Sequence, residues 1–397
     1  MNRRRGIYNT GNDCFINSTL QCLAVSPFII NIIDSYSSDD LKIINLIKKY
    51  DLGKFNSNKI NIECDNILKK HENKEILIKD NKDIEILKYI SKNSNVLYIY
   101  IVFKEMIKNL NNGTDDIIDN TMFKSINKEI SEYYGFDHLF NGDQNDPHEL
   151  MAYLLDKLHD AKKTTKIISE PDNLENLDEY TKLYYKNYKQ RYENDYSLFV
   201  QKFYYYILSC VQCSKCKNTS NEASPSDILC VSIPDAENEN MHTRNTNQLT
   251  IYDCLNDMFK IEKIQYKCEK CNNNENNRIE KRIMITPQTL IIKIKKYYSI
   301  GKRLIKNNKY IKYPLILDMM PYIICDKHKT YELYGIINHS GILDSGHYYS
   351  YVRKYNRKTN KFLSEWYCCN DSQISEISNE EALSSQNAYI LFYHYFE

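Results

Sequence analysis

Near its amino terminus the chain reads Gly6-Ile7-Tyr8-Asn9-Thr10-Gly11-Asn12-Asp13-Cys14-Phe15-Ile16-Asn17-Ser18-Thr19-Leu20-Gln21-Cys22-Leu23. Asn12 and Asp13 are good helix caps, and apolar residues follow them at helical spacing. Pro27 is predicted to close this helix. The pattern therefore places Cys14 at the first position of a helix or one residue inside it.

A cysteine in this position is a candidate nucleophile. A thiol at a helix start feels the positive end of the macrodipole, and a neighbouring imidazolium further favours the thiolate. Gly11 is expected to allow a tight turn just before the helix, and Asn9 can aim its side-chain amide at the oxyanion formed on attack. Losing one such donor raises the barrier by about 3–4 kcal/mol in serine proteases. The alternative interpretation of Cys14 is a buried structural cysteine at a helix cap.

The carboxyl-terminal part of the chain supplies candidate partners for a nucleophilic cysteine. Such a cysteine needs an imidazole within hydrogen-bond reach and a third group that holds the other ring nitrogen. His347 precedes the strand-like run Tyr348–Val352, and Asn370 closes the segment that begins at Trp366, the only tryptophan among 397 residues. Most of the nine histidines are expected to be ordinary surface or core residues.

Taken together, these strings resemble the Cys box and the His box of ubiquitin-specific proteases. The first resembles Gly-Leu-x-Asn-x-Gly-Asn-Thr-Cys-x-x-Asn-Ser-x-Leu-Gln, and the second resembles Gly-His-Tyr followed by Trp-Tyr-x-x-Asn-Asp. The resemblance implies that Cys14 is the nucleophile, Asn9 the oxyanion donor, His347 the general base and Asn370 the third member of the triad. By the same resemblance, Asp371 assists Asn370 or substitutes for it.

The resemblance also implies a fold and a reaction. The fold is α+β, a papain-like cysteine protease with a helical thumb, a β palm and zinc-bearing β fingers. The reaction is that of a thiol-dependent deubiquitinase, which hydrolyses the peptide or isopeptide bond after the C-terminal Gly of ubiquitin. Ubiquitin and ubiquitinated proteins are the implied partners, and the protein is expected to be a monomer.

Asp13 departs from the family pattern, which has Thr or Ser immediately before the cysteine. A carboxylate beside a thiolate disfavours the thiolate. If Asp13 points away and caps the helix, the effect is small. If Asp13 points into the cleft, it slows the enzyme.

A third string, residues 144–150, opens a predicted amphipathic helix. Asp146 with Glu149 three residues later is an N-terminal capping pattern, which alone would explain both acids. The string also resembles the family's Gln-x-Asp-x-x-Glu box, which implies that Gln144, Asp146 and Glu149 bind the basic tail of ubiquitin. Charged hydrogen bonds of this kind contribute roughly 1.5–3 kcal/mol each. The two roles are compatible.

The loop Ser340–Gly346 resembles the family's mobile loop that arches over the ubiquitin tail. Gly346 is therefore assigned to tail binding. His339 matches a position near the cleft and is not predicted to be catalytic.

Two Cys-x-x-Cys pairs, Cys213/Cys216 and Cys268/Cys271, have the spacing of a zinc site. Four thiolates satisfy a tetrahedral ion, so one structural zinc with no open position is predicted. Cys210 can compete as a ligand, but symmetric pairing and the family pattern favour Cys213. A redox role for either pair is the weaker interpretation, because no thioredoxin-like context surrounds them.

Composition narrows the remaining classes. A net charge of +1 gives no field that would favour nucleic acid or an anionic membrane. No signal peptide and no apolar run long enough to span a bilayer is recognised, which predicts an intracellular protein, cytoplasmic or nuclear, with reduced cysteines.

The resemblance covers nearly all of the chain, which predicts one catalytic domain over residues 1–397. Helices are expected in the first half and strands in the second. The thumb is assigned to about 1–200, the fingers to about 201–290 and the palm to about 291–397. Two Lys/Asn-rich insertions are assigned to 35–130 and 162–195.

Two other functions remain open at this point. One is a ubiquitin-binding module of the same fold that Asp13 or collapsed loops have disabled. The other is a zinc-ribbon protein that binds nucleic acid, suggested by the paired cysteines and nearby lysines. The balanced charge and the lack of a basic domain count against it.

Overall fold

Helices dominate the chain up to Phe203, and strands dominate from Tyr205 onward. This computed structural model describes residues 4–34, 42–43, 45–46, 49–50, 57–168, 174–234, 248–300, 303–324, 330–342 and 345–395. The chain divides into two units. The first comprises residues 1–162, 357–360 and 369–374, and the second comprises residues 163–356, 361–368 and 375–397.

The first unit is mainly helical. Its short strands β1 (Gly6–Ile7) and β2 (Ile117–Ile118) pair in parallel. Its helices are α1 (Cys14–Ala24), α2 (Pro27–Asp34), α3 (Ser57–Glu72), α4 (Asn81–Asn112), α5 (Thr121–Tyr134) and α6 (Pro147–Lys162).

Helix α1 is buried along its whole length, because every residue from Cys14 to Ala24 is removed from solvent. Helix α1 ends at Ala24, before Pro27 as predicted. Pro27 also begins α2, where a missing N–H and a fixed φ are tolerated.

Among the described residues, no single helix is long and apolar enough to cross a membrane. Helix α1 and Pro27–Ile33 of α2 meet the length and composition criteria only as a pair, bent by 84°.

The segment expected to be a charged, loop-rich insertion contains two packed helices, α3 and α4. Apolar residues at helical spacing between Ile84 and Ile107 predict a helix, and this stretch lies inside α4, which is kinked at Asn93 (φ −123°). Apolar side chains of the two helices share one buried cluster, which includes Ile60, Cys64 and Leu87. Because lysines and asparagines lie on the outer faces, the composition of this segment does not reveal its apolar stripe.

The described strands of the second unit are β3 (Tyr205–Gln212), β4 (Thr219–Ser226), β5 (Ile228–Ser232), β6 (Glu262–Ile264), β7 (Asn277–Ile285), β8 (Thr289–Lys295), β9 (Tyr297–Ile300), β10 (Arg303–Lys306), β11 (Ile316–Asp318), β12 (Thr330–Ser340), β13 (His347–Asn356), β14 (Lys361–Asn370), β15 (Gln373–Ile377) and β16 (Ala388–Tyr395). They form three sheets. The four-stranded sheet has the order β4-β3-β7-β6, and the path through the eight-stranded sheet is β15-β14-β13-β12-β16-β8-β5, with β11 paired to β12. Strands β9 and β10 form a separate antiparallel pair.

Most of the sheet pairing is antiparallel, as the alternation of short strands and turn residues predicts, but β5 and β8 pair in parallel. The apolar run from Ala388 to Tyr395 predicts a strand, and β16 has these bounds. The aromatic run that begins at Phe203 also predicts a strand, but this strand starts at Tyr205, since Phe203 ends a short helix. Trp366 of β14 is fully buried in the core of the eight-stranded sheet.

The described part of the second unit also contains the α-helices α7 (Glu179–Tyr192), α8 (Leu198–Phe203), α9 (Ile251–Met258) and α10 (Asn379–Leu383). Helix α7 lies in the polar segment assigned to an insertion. Rings of Tyr184, Tyr188 and Tyr192 pack around Tyr206 of β3 at centroid distances of 5.1, 5.9 and 6.3 Å. Aromatic packing therefore secures this helix, although its overall composition is polar.

Candidate active site

Cys14 is the first residue of α1 and is 4% exposed. The preceding residue, Asp13, occupies the N-cap position, but its side chain makes no capping hydrogen bond to the helix. Gly11 has no positive φ, and a Cβ added there would meet nothing within 4 Å. The turn before Cys14 therefore does not require glycine at position 11, contrary to expectation.

The side-chain amide of Asn9 is held in one orientation. Its Oδ1 accepts hydrogen bonds from the backbone N–H of Gly11 (2.9 Å) and of Asp13 (3.2 Å). Its Nδ2 donates to Asp371 Oδ2 at 2.8 Å. Because the amide nitrogen carries two protons, one N–H is used in this bond and the other is left for a second acceptor.

Asp371 ties the segment after β14 to the Cys14 region. Its second carboxylate oxygen, Oδ1, accepts from Asn17 Nδ2 at 2.8 Å, and its backbone oxygen accepts from Ile7 N at 2.8 Å. A Cβ at Gly6 would overlap the backbone of Ser372, so this close approach requires glycine at position 6.

Both carboxylate oxygens of Asp371 are thus engaged by amides of residues close in sequence to Cys14. This arrangement favours a positioning role for Asp371 over substitution for Asn370. The amide chain continues inward, because Asn120 Nδ2 donates to Asn17 Oδ1 at 2.9 Å in a buried environment. Asn370 is the half-buried last residue of β14, in the same unit as Cys14.

His347 is the first residue of β13 and belongs to the second unit. It pairs with Ser340 in the β12–β13 ladder, and Ser340 Oγ donates to its backbone oxygen at 3.3 Å. The half-buried imidazole is stacked with the Tyr349 ring at a centroid distance of 6.5 Å. The predicted position at a strand start is therefore found.

Next to His347, the buried His339 is held by Tyr297. The hydroxyl of Tyr297 lies 2.9 Å from His339 Nδ1. A Cβ at Gly346 would overlap His339 Nε2, so only glycine fits at this position without movement of the ring. Of the loop Ser340–Gly346, residues 343 and 344 lie outside the described residues.

The acids at the start of α6 have separate partners. Asp146 Oδ1 accepts from the backbone N–H of His148 at 2.9 Å and so caps the helix. Glu149 does not complete a capping box; its Oε2 lies 3.1 Å from Nε2 of His138, and its side chain is 52% exposed. Gln144 is exposed in the loop before the helix. Glu149 is accordingly accessible to a basic ligand.

The four cysteines predicted to bind metal meet in the second unit. Their sulfur atoms all lie within 4.8 Å of one another. Cys213 and Cys271 are 3.5 Å apart, and Cys216 and Cys268 are 3.6 Å apart. Cys210 lies on β3 opposite Asn221 and Glu280 and is not part of this group.

The two Cys-x-x-Cys turns have the same geometry. The residue after each pair, Lys217 and Asn272, adopts a left-handed conformation with φ of 60° and 55°. The pKa of the Cys213 thiol is lowered to about 6, and the largest cause is a hydrogen bond from the backbone N–H of Cys216. Four convergent thiols fit the donor set of a tetrahedral metal ion.

A family model described as "Ubiquitin carboxyl-terminal hydrolase" matches residues 5–393. The chain belongs to this family. This membership confirms the predicted family and the predicted enzyme class, a cysteine-type deubiquitinase.

Curated relatives of this ubiquitin carboxyl-terminal hydrolase domain include a probable ubiquitin carboxyl-terminal hydrolase of Acanthamoeba polyphaga mimivirus. It is 24% identical over 454 residues, which cover 98% of this chain and 89% of the viral protein. Ubiquitin carboxyl-terminal hydrolase 4 of Eremothecium gossypii is 25% identical over 98% of this chain, but the match covers 42% of that protein. The chain thus spans less than half of the fungal relative.

Solved structures similar to this family member include the SAGA DUB module Ubp8/Sgf11/Sus1/Sgf73 bound to monoubiquitin. The TM-score is 0.63 at 20% identity, covering 99% of this chain and 69% of that chain. The same module bound to ubiquitin aldehyde gives a TM-score of 0.62 at 19% identity, with 99% and 70% covered. This likeness confirms the predicted α+β fold class.

Three contacts in this hydrolase domain are absent from the sequence analysis. Asn17 stands inside the recognised motif, which was the available signal for its bond to Asp371. Tyr297 and Lys124 lie outside every motif, and their contacts with His339 and Asp13 arise only from folding.

Proposed function

We propose that this chain is a thiol-dependent deubiquitinase that hydrolyses the peptide or isopeptide bond after the C-terminal Gly of ubiquitin. One observation carries the proposal: Cys14 begins a buried helix beside an Asn9 amide that two backbone N–H groups and Asp371 hold in a single orientation. In a family whose members are named for ubiquitin hydrolysis, this is the geometry of a nucleophile with a preset oxyanion donor.

The proposed reaction proceeds in two stages. His347 accepts the Cys14 thiol proton, and the sulfur attacks the carbonyl carbon after the last glycine of ubiquitin. The free N–H of Asn9 stabilises the oxyanion, while Asn370 holds the other nitrogen of the imidazole. His347 then protonates the leaving amine, leaving a thioester, and activates a water that hydrolyses this thioester and regenerates the Cys14 thiol.

Ubiquitin is the proposed partner. Two similar structures are described as bound to monoubiquitin and to ubiquitin aldehyde. The exposed carboxylate of Glu149, with Asp146 and Gln144 beside it, supports binding of the basic ubiquitin tail, and the tight packing at Gly346 supports a narrow passage for its glycines. The chain is proposed to act as a monomer.

Zinc is the proposed ion at Cys213, Cys216, Cys268 and Cys271. When bound, it would supply a structural crosslink between the two Cys-x-x-Cys turns. Because all four positions are taken by protein sulfur, the ion would leave no position for a catalytic water.

Turnover of a ubiquitin C-terminal fluorogenic amide by the purified chain under reducing conditions tests the proposal. The wild type should release the fluorophore, and Cys14→Ala should release none while still binding ubiquitin. His347→Ala should behave nearly the same. Wild-type binding of ubiquitin without turnover, and without labelling of Cys14 by an electrophilic ubiquitin probe, would instead indicate a binding module. A panel of ubiquitin-like substrates would define the modifier.

A further inference from the structure

Asp13 places a carboxyl group next to the candidate nucleophile, where the family has a neutral hydroxyl residue. The side chain is buried, since the residue is 3% exposed. A buried carboxylate without compensation would oppose formation of a neighbouring thiolate and would itself be costly to desolvate. The contacts of this group therefore decide whether the substitution harms the site.

The Asp13 carboxylate is fully engaged by two residues. Lys124 Nζ, from α5, lies 2.6 Å from Oδ1. Oδ2 accepts from the backbone N–H of Thr10 at 2.9 Å and from its hydroxyl at 2.7 Å. Lys124 Nζ also donates to Thr10 Oγ1 at 2.6 Å, which closes a triangle of polar contacts. The Lys124 ammonium group thus neutralises the Asp13 carboxylate and stabilises the turn that precedes Cys14.

Two further carboxylates, Asp371 and Asp119, contact residues of this region. Asp371 is occupied by the amides of Asn9 and Asn17. Asp119 accepts from the backbone N–H and the hydroxyl of Thr121 and also feels the charge of Lys124. Within the described residues, Lys124 is the cation that pairs with Asp13.

The ionisation of Asp13 agrees with this geometry. Burial, the largest effect, acts to raise the pKa of the carboxyl group, but hydrogen bonds from Lys124 and Thr10 together outweigh it and lower the pKa below its ordinary value. Asp13 is therefore an anion at neutral pH, and its compensation depends on Lys124.

We propose that Lys124 is a positioning residue for this active site: it neutralises Asp13 and holds it against Thr10, so that the acid does not oppose the Cys14 thiolate. The proposal rests on the role of Cys14 as nucleophile. In this proposal, Asp13 and Lys124 together replace the Thr or Ser that the family has before the cysteine.

The pH dependence of Cys14 alkylation by iodoacetamide, measured by mass spectrometry of the Cys14 peptide, tests this role. For Lys124→Met we expect the alkylation midpoint to rise by about one pH unit, with a roughly tenfold slower reaction below it, because the acid is no longer neutralised. Lys124→Arg should restore the wild-type curve. Asp13→Asn/Lys124→Met should also return to it, since position 13 then carries no carboxylate.

Lys128→Met, one turn further along α5 and exposed, is the matched control and should leave the curve unchanged. A Lys124→Met curve equal to wild type, with only a lower melting temperature, would mean a purely structural role and would overturn the proposal. So would a double variant that keeps the raised midpoint. If Lys124→Met does not fold, the comparison of Lys124→Gln with Asp13→Asn/Lys124→Gln decides by the same criteria. Alkylation needs no ubiquitin, so failure of wild-type turnover would overturn the proposed function separately.

Discussion

Asp371 holds two side-chain amides of residues close in sequence to Cys14. Its carboxylate accepts one amide from Asn9 and one from Asn17, and its φ of 51° places the backbone in the left-handed region that non-glycine residues rarely adopt. The backbone of Asp371 is therefore strained at the point where its side chain holds two amides. Strained residues of this kind are common at functional sites.

We expect Asp371→Asn to lower kcat by roughly 10- to 100-fold with little change in KM. An asparagine can accept from one of the two amides but presents N–H groups to the other, so the Asn9 amide loses its fixed direction. Removing Asn9 itself should cost more, about 100- to 1000-fold. Steady-state kinetics with the fluorogenic ubiquitin substrate measure this, with exposed Glu376→Gln as control. Wild-type kcat in Asp371→Asn would contradict the positioning role.

Asp13 also predicts how stability depends on pH. Its folded-state pKa lies below the ordinary value of 3.8, so its contribution to stability is fully present above that value and is lost as pH falls through the folded pKa. Urea unfolding of wild type and Asp13→Asn should show a stability difference at pH 7 that shrinks below pH 3.8. A difference that stays constant or grows on acidification would refute this assignment.

At the scale of elements, the β12–β13 connection is set by tight packing at Gly346. Since a Cβ there overlaps the His339 ring, Gly346→Ala should displace the ring or the segment that leads into His347. We expect turnover to fall by roughly 10- to 100-fold, as for other small displacements of catalytic groups. His339→Ala alone is the control. The double variant Gly346→Ala/His339→Ala should recover part of the loss, and its failure to do so would place the cause elsewhere.

The two Cys-x-x-Cys turns are predicted to be linked by a structural metal ion. Cys268→Ser should reduce bound metal below one ion per chain and lower the melting temperature by roughly 5–10 °C, because metal binding is linked to folding. Activity per folded molecule should be retained. Cys210→Ser, on the same sheet but outside the cysteine group, is the matched control. Full metal content in Cys268→Ser, or selective loss of activity in a well-folded sample, would contradict a structural zinc site.

For the molecule as a whole, local signals predicted what depends on local physics. Cap residues before Cys14 indicated the start of α1, and the apolar run from Ala388 to Tyr395 indicated the bounds of β16. Composition misled where a polar surface covers an apolar face, as in α3 and α7. The orientation of Asp13 could not be read at all, because Lys124 and Thr10, which share its carboxylate, stand 114 positions apart.

The same distinction applies to the active site. Its residue types were predicted from the motifs, but the partners of Asn9 and Asp371 were not, since hydrogen bonds across 362 positions are properties of the folded chain. The predictions of a single domain and of a monomer remain predictions.

The complete burial of Trp366 has a practical consequence. Because it is the only tryptophan and belongs to the second unit, its fluorescence reports the melting of the eight-stranded sheet and is blind to the helical unit that carries Cys14. Far-ultraviolet circular dichroism, dominated by helices, reports mainly the other unit, which contains most of the helical residues. Coincident transitions in the two signals would mean that the folded surroundings of Cys14 and His347 are lost together. Separated transitions would identify a half-folded species in which either the sheet or the helix that carries Cys14 is intact.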